Sequence, residues 1–247
     1  MIELSLKLSS VPLLFAIQVI AVAYANHRAT KLNSAMQSKW IYSILIMLTA
    51  WGAMCTYLAF SGVYQSSGFL NAYPMLWLPV IPFVIISLPL VLQSARDSFR
   101  ILIDSIPITW LVGIHTLRIL ALGTIVKAHN GLFSQSFATY VGIPDFIFGL
   151  SAILVLWLLI KRQISHSLLI IWNFIGILVI IPGALIVAQK GLPGLFYSII
   201  ETPTITTLFE FPMVLAPSLV VPLFLAFNLF TAIRLIERKQ PDHINKR

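Results

Sequence analysis

The chain has 247 residues, of which 59% are hydrophobic and only 10% charged, and its formal net charge is +8. A soluble domain of that size cannot bury so much apolar side chain in one core, so its solvent is lipid. The basic residues sit in short connections and the C-terminal tail instead of on one face, which argues for topology determinants and against a nucleic-acid partner.

A membrane crossing takes about 20 mostly apolar residues. Windows between polar breaks give seven, near residues 10–26, 40–62, 73–95, 105–127, 144–161, 167–189 and 210–235. The expected fold is therefore an all-α membrane protein with seven transmembrane helices in one membrane domain, residues 1–247. Lys7, the run from Val11 and Ala23-Tyr24-Ala25 resemble a cleavable secretory signal. Cleavage would leave Arg28, Lys31 and Lys39 outside, against the positive-inside rule, so the segment reads as a spanning helix. The single cysteine, Cys55, lies in the second apolar run, which excludes an intrachain disulfide and reads as packing.

Orientation follows from the connections. Residues 26–39, 96–100, 161–166 and the tail from Arg234 hold twelve Lys and Arg, against Lys7, Lys127 and Lys190 on the other side. That places the N-terminus outside and the C-terminus in the cytoplasm, in a cell's inner (plasma) membrane. The outer connections 128–143 and 190–209 keep Leu132, Phe133, Phe137, Leu195, Phe196 and Tyr197, which suits headgroup anchoring or a lid.

An internal repeat organises the chain. Pro74, Met75, Pro79, Arg96 and Arg100 recur as Pro212, Met213, Pro217, Arg234 and Arg238, all at an offset of 138. Trp40 pairs with Trp172 at 132, and Gly52 with Gly183 at 131. Repeat 1 covers about residues 10–100, a linker helix about 105–127, and repeat 2 about 144–238. Both third helices run outside to inside, so the repeats are parallel and the plan is 3+1+3. In helix count and repeat plan the chain resembles the SWEET-type sugar facilitators, although it has no Pro-Gln dipeptide and its paired prolines lie in the third helix of each unit. That resemblance implies a transporter with a site between the repeats. More locally, Arg118 followed by Gly131-Leu132, Phe137, Gly142, Asp145, Gly149 and Ala152 is similar to a pattern in uncharacterised bacterial multi-pass proteins, which implies no activity.

Candidate site residues follow from cost. An arginine deep in a spanning helix needs a partner or water. Arg118 stands nine residues before Lys127 at the outer end of the fourth segment, about 13 Å deep at 1.5 Å per residue. His115, one turn earlier, shares its face. Asp145 and Glu210, at the outer starts of the fifth and seventh segments, are the carboxylates that an outward-reaching guanidinium meets, although either acid also suits a helix N-terminus. Pro79, Pro82, Pro217 and Pro222 remove backbone donors and mark hinges or static kinks at matched places. Gln18, Asn173 and Asn228 read as interhelical ties or cavity lining.

The leading expectation is a transporter or facilitator for a small polar or anionic solute, rocking about the fourth helix, with Arg118, His115, Asp145 and Glu210 as binding or gating residues. The alternative is a seven-helix receptor or sensor, or a scaffold subunit that recruits a partner; an oligomer fits either. A lipid-acting enzyme using His115 or Asp145 comes third and no motif supports it. No cofactor, metal site or catalytic residue is expected, because the last segment has no lysine for a Schiff base, one histidine lies at membrane depth, and phosphate-loop and HExxH patterns are missing.

Overall fold

The structure is a computed structural model that describes residues 9–239, so Lys7, Lys246 and Arg247 of the charge count lie outside the described residues, as does His243. Every regular element among the described residues is helical. Six helices are long and apolar enough to cross a membrane: α1 (Val11–Leu32), α2 (Ser38–Phe60), α5 (Ile108–His129), α6 (Gln135–Ile160), α7 (His166–Lys190) and α8 (Ala216–Arg238). Their lengths of 22 to 26 residues correspond to about 33–39 Å, enough for a hydrocarbon core of about 30 Å.

The third predicted segment is built differently. Four prolines within sixteen positions, Pro74, Pro79, Pro82 and Pro89, each delete a helical donor. The result is a short apolar helix, α3 (Pro74–Ser87), interrupted by a 3-10 turn at Leu78–Val80 and followed by another at Pro89–Val91. Its 14 residues reach only about 21 Å as an ideal helix. At Leu92 the backbone becomes extended and a separate helix, α4 (Gln93–Ser105), begins. This helix is amphipathic: Ala95, Ser98 and Leu102 are buried, while Arg96, Asp97 and Arg100 are exposed. Residues 96–100, expected as a simple connection, are thus helical. Arg96 and Arg100 stand on α4, beyond that break, whereas their offset mates Arg234 and Arg238 continue α8 without one.

The hub of the bundle is α8. Its spanning window is 67% buried, against 22–28% for the other five long helices. It packs against α1, α2, α3, α4, α5 and α7, while α6 lies chiefly along α5. The fourth predicted segment, α5, is therefore peripheral to a centre formed by the seventh. The composition of α8 explains this: apolar side chains surround it, with Leu219, Val220, Leu223, Phe224, Leu225 and Ala226 all buried.

Pro222 shapes the hub. It cannot donate to the carbonyl of Ser218, and the preceding turn, Ala216–Val220, is a π-helix in which the Val221 N–H reaches Ala216 O. Neighbouring helices satisfy the exposed backbone: Trp51 Nε1 of α2 donates to Ser218 O at 3.0 Å, and Gln18 Nε2 of α1 donates to Val220 O at 3.2 Å. In lipid, where no water meets such carbonyls, these two side chains fix α1 and α2 to α8.

Candidate functional site

The site begins with an irregular turn. Within α5, residues Ile114–Ala121 form a 3-10 helix, an uncommonly long run of that geometry. With three residues per turn, His115 and Arg118 eclipse one another on one face, and both are buried. On the facing helix, α6, Gly149 allows the approach: a Cβ there would lie 2.5 Å from Ile119 N and 2.8 Å from the Arg118 carbonyl carbon.

Arg118 is fully enclosed by this packing and its charge is met from two helices. Its Nε donates to Asp145 Oδ1 of α6 in a salt bridge, and one terminal nitrogen donates to the Gly176 carbonyl of α7 at 3.2 Å. The guanidinium carbon lies 4.1 Å from the centre of the Phe148 ring, a cation–π contact in a dry setting. Gly176 must be small, because a Cβ would meet the Phe148 ring at 2.4 Å and the Asn228 amide at 2.6 Å. So α5, α6, α7 and α8 converge within one residue of the arginine. The other terminal nitrogen of Arg118 and both side-chain polar atoms of Asn228 are buried without a hydrogen-bond partner among the described residues.

His115 shares the Phe148 ring with Arg118 but none of its hydrogen-bond partners. Its ring stands in a box of Phe148, Trp172 and Phe224, with centroids 5.9, 5.6 and 5.9 Å away. Neither of its nitrogens has a partner among the described residues. Trp172 is anchored by Nε1 donating to Ser151 Oγ at 3.0 Å.

Above the ion pair lies a cleft. Ser9, Ser10, Thr124, Lys127, Asp145 and Phe224 are among its walls, so it opens at the end of the bundle that carries the start of α1 and the end of α5. Both members of the pair line it, and Asp145 is the more open, with a side chain 14% exposed against 0% for Arg118. The cleft has hydroxyls and an ammonium at its mouth and an ion pair at its floor. That arrangement can bind an anionic or hydroxylated solute by exchanging partners with Asp145.

The structure brings Arg118 and Asp145 together and sets His115 beside them, but Glu210 is exposed and is no partner of Arg118. The acid that makes side-chain bonds in these connecting loops is Glu201, whose carboxylate accepts from Ser134 Oγ and, at 2.9 Å, from the Ser136 N–H, capping the start of α6. Phe133 and Phe137 are buried, whereas Leu195, Phe196 and Tyr197 are exposed. Pro79 lies in the 3-10 turn of α3, Pro82 opens its next turn, Pro217 lies within the π-helix of α8, and Pro222 follows just after it. At the opposite end, Arg234 donates to the Ile106 and Asp104 carbonyls at 2.6 and 2.9 Å, closing the end of α4, and pairs with the Asp104 carboxylate at 3.4 Å. From sequence Arg234 counts as a topology charge and as the repeat mate of Arg96; its place on an apolar helix is the signal for this further role.

A family model described as Domain of unknown function (DUF8737) matches residues 75–236, and the chain belongs to that family. The match begins in α3 and ends in α8, so it contains Arg118, Asp145, Phe148 and Gly176 and leaves out α1 and α2. No curated protein and no solved structure matches the chain.

Proposed function

We propose that this member of the DUF8737 family is a small transporter or facilitator of the cell's inner membrane that moves a small polar or anionic solute. In this reading the N-terminus is outside and the C-terminus cytoplasmic, as the twelve-to-three distribution of Lys and Arg directs. The 3+1+3 repeat and the likeness of plan to SWEET-type facilitators belong to the same proposal. The cleft then faces outward, and the axis of movement is α8 and not α5.

The observation that carries the proposal is the Arg118–Asp145 pair beneath the cleft. A buried ion pair is a poor device for stability, since well-packed apolar residues of similar volume often do as well or better. Within a bilayer its charges cost more still, so a pair at that depth marks a place where a charged or polar group is handled. A solute anion entering from the cleft meets Asp145 first and competes with it for the guanidinium. Exchange loosens the α5–α6 clasp held by that bond, which gives binding a mechanical consequence.

The test is flux in proteoliposomes with a panel of labelled small carboxylates and sugars. The proposal expects uptake of at least one above protein-free vesicles, reduced at least tenfold by Arg118→Ala and by Asp145→Asn in protein that remains monodisperse. Unchanged flux in both variants removes the pair from the mechanism. The receptor or scaffold alternative draws on the closed packing around α8. Its signature is a stoichiometric co-purifying partner together with no flux for any solute.

A further inference from the structure

Further along α1 and α8, away from the mouth of the cleft, lies a second feature that the transport reading does not use. Between α1, α2, α4 and α8 lies an apolar cavity walled by residues such as Ile44, Leu48, Leu102, Leu223 and Phe227. Its one polar lining residue, Gln18, is turned to the Val220 carbonyl. Next to it lies a charged cavity bounded by Arg96, Arg100, Asp104, Arg234 and Glu237. Phe99, Ile103 and Phe230 line both cavities, so the two adjoin across these residues. Phe99 and Phe230 meet edge to face with centroids 4.7 Å apart at that junction.

The charges there do not balance. Asp104 is taken by Arg234 and Arg238, and Glu237 by Arg100, in pairs that are exposed to solvent except at Arg234. Arg96 is exposed and has no side-chain partner among the described residues. Asp97, its neighbour on α4, is exposed but does not line the cavity. Three arginines and two carboxylates therefore leave one positive charge in excess beside a hydrocarbon-lined slot. An amphipathic helix, α4, forms the border between them. Charge and apolar depth in that order along one wall are complementary to a molecule with a phosphate at one end and an acyl chain at the other.

We propose that this face is a binding site for an anionic phospholipid, with the phosphate at Arg96 and Arg100 and an acyl chain lying past Phe99 and Phe230 into the apolar cavity. The lipid ties α4 to α1, α2 and α8, the helices that otherwise hold that end of the bundle. The site is separate from the outward cleft, so its test stands apart from that of transport.

The experiment is thermal unfolding of the full chain in a mild detergent, followed by tryptophan fluorescence, with phosphatidylglycerol, phosphatidylcholine of the same chains, or inorganic phosphate added. Phosphatidylglycerol raises the midpoint saturably, while the other two do so far less. In Arg96→Gln/Arg100→Gln the apparent affinity falls about 25-fold, at a factor of about five per arginine near a membrane surface. Neither substitution removes a buried partner, since Arg96 has none and the Arg100–Glu237 pair is exposed. A second variant, Leu223→Trp, fills the apolar cavity and weakens the phosphatidylglycerol response with both arginines in place. Equal stabilisation by phosphatidylcholine overturns the charge requirement, equal stabilisation by inorganic phosphate overturns the acyl chain, and an undiminished response in the double arginine variant overturns the site.

Discussion

The Arg118–Asp145 pair makes a quantitative prediction through a double-mutant cycle. Asp145→Asn keeps the shape of the carboxylate and removes its charge, leaving the guanidinium with the Gly176 carbonyl at 3.2 Å and the Phe148 ring at 4.1 Å. Stripping one partner from a buried pair costs about 3–5 kcal/mol, and these two remaining contacts offset part of it, so the expected loss is about 3 kcal/mol. Arg118→Gln strands the carboxylate instead, but Asp145 is 14% exposed at the cleft and hydrates, so about 2 kcal/mol is expected. In the double variant an amide pair replaces the ion pair and the total is again about 2 kcal/mol, giving a coupling near 3 kcal/mol. The assay is reversible unfolding in mixed dodecyl maltoside and dodecyl sulfate micelles, followed by tryptophan fluorescence. A coupling at or below about 0.6 kcal/mol, the typical worth of a neutral interhelical hydrogen bond, would refute the claim that the charges meet in a dry interior.

Three further outcomes follow from the packing. Trp51→Phe removes the indole bond to Ser218 O and destabilises by about 1–2 kcal/mol, whereas Trp40→Phe, whose indole bonds the exposed Gln37, changes the same unfolding curve by less than about 0.5 kcal/mol. Gly149→Ala forces a Cβ to within 2.5 Å of Ile119 N and costs about 1–3 kcal/mol, read in the same micelles; because the clash is with backbone, adding Ile119→Ala does not restore the loss. Glu201→Gln weakens the cap on α6, and hydrogen exchange at Ser136 and Phe137 speeds up about tenfold while exchange in the middle of α8 stays unchanged.

Much of this architecture could be read from the chain, and the reasons differ by element. The six long helices were legible because a lipid solvent demands long unbroken apolar runs, and those are visible in composition alone. The third segment was read as one span because the apolar windows ran together across Pro89, and only the backbone shows the break at Leu92. The amphipathic pattern of α4, with Ala95, Ser98 and Leu102 on one face, was present in the sequence but hidden by counting Arg96 and Arg100 as a loop. Arg118 and Asp145 were legible as a pair because an intramembrane arginine must be compensated and few acids lie within reach. Glu210 was an equal candidate by depth, and what separates the two is the azimuth of each helix, which sequence does not carry. Gly149 and Gly176 were beyond reach for a similar reason: a glycine in an apolar helix declares its purpose only when the neighbour that crowds it is known. The central place of α8 likewise depends on packing partners, and the burial of its polar Asn228, Thr231 and Arg234 shows only once those partners are known.

Transport by the proposed route requires an aqueous cleft over Asp145 that opens outward, and cysteine labelling tests this most directly. Cys55 is buried and is replaced by alanine, after which Thr124→Cys places a single thiol on the cleft wall. A membrane-impermeant maleimide added to intact cells is predicted to label that thiol, and to do so faster when Asp145→Asn loosens the floor. Labelling only after the membrane is opened, or no labelling from either side, would contradict the account.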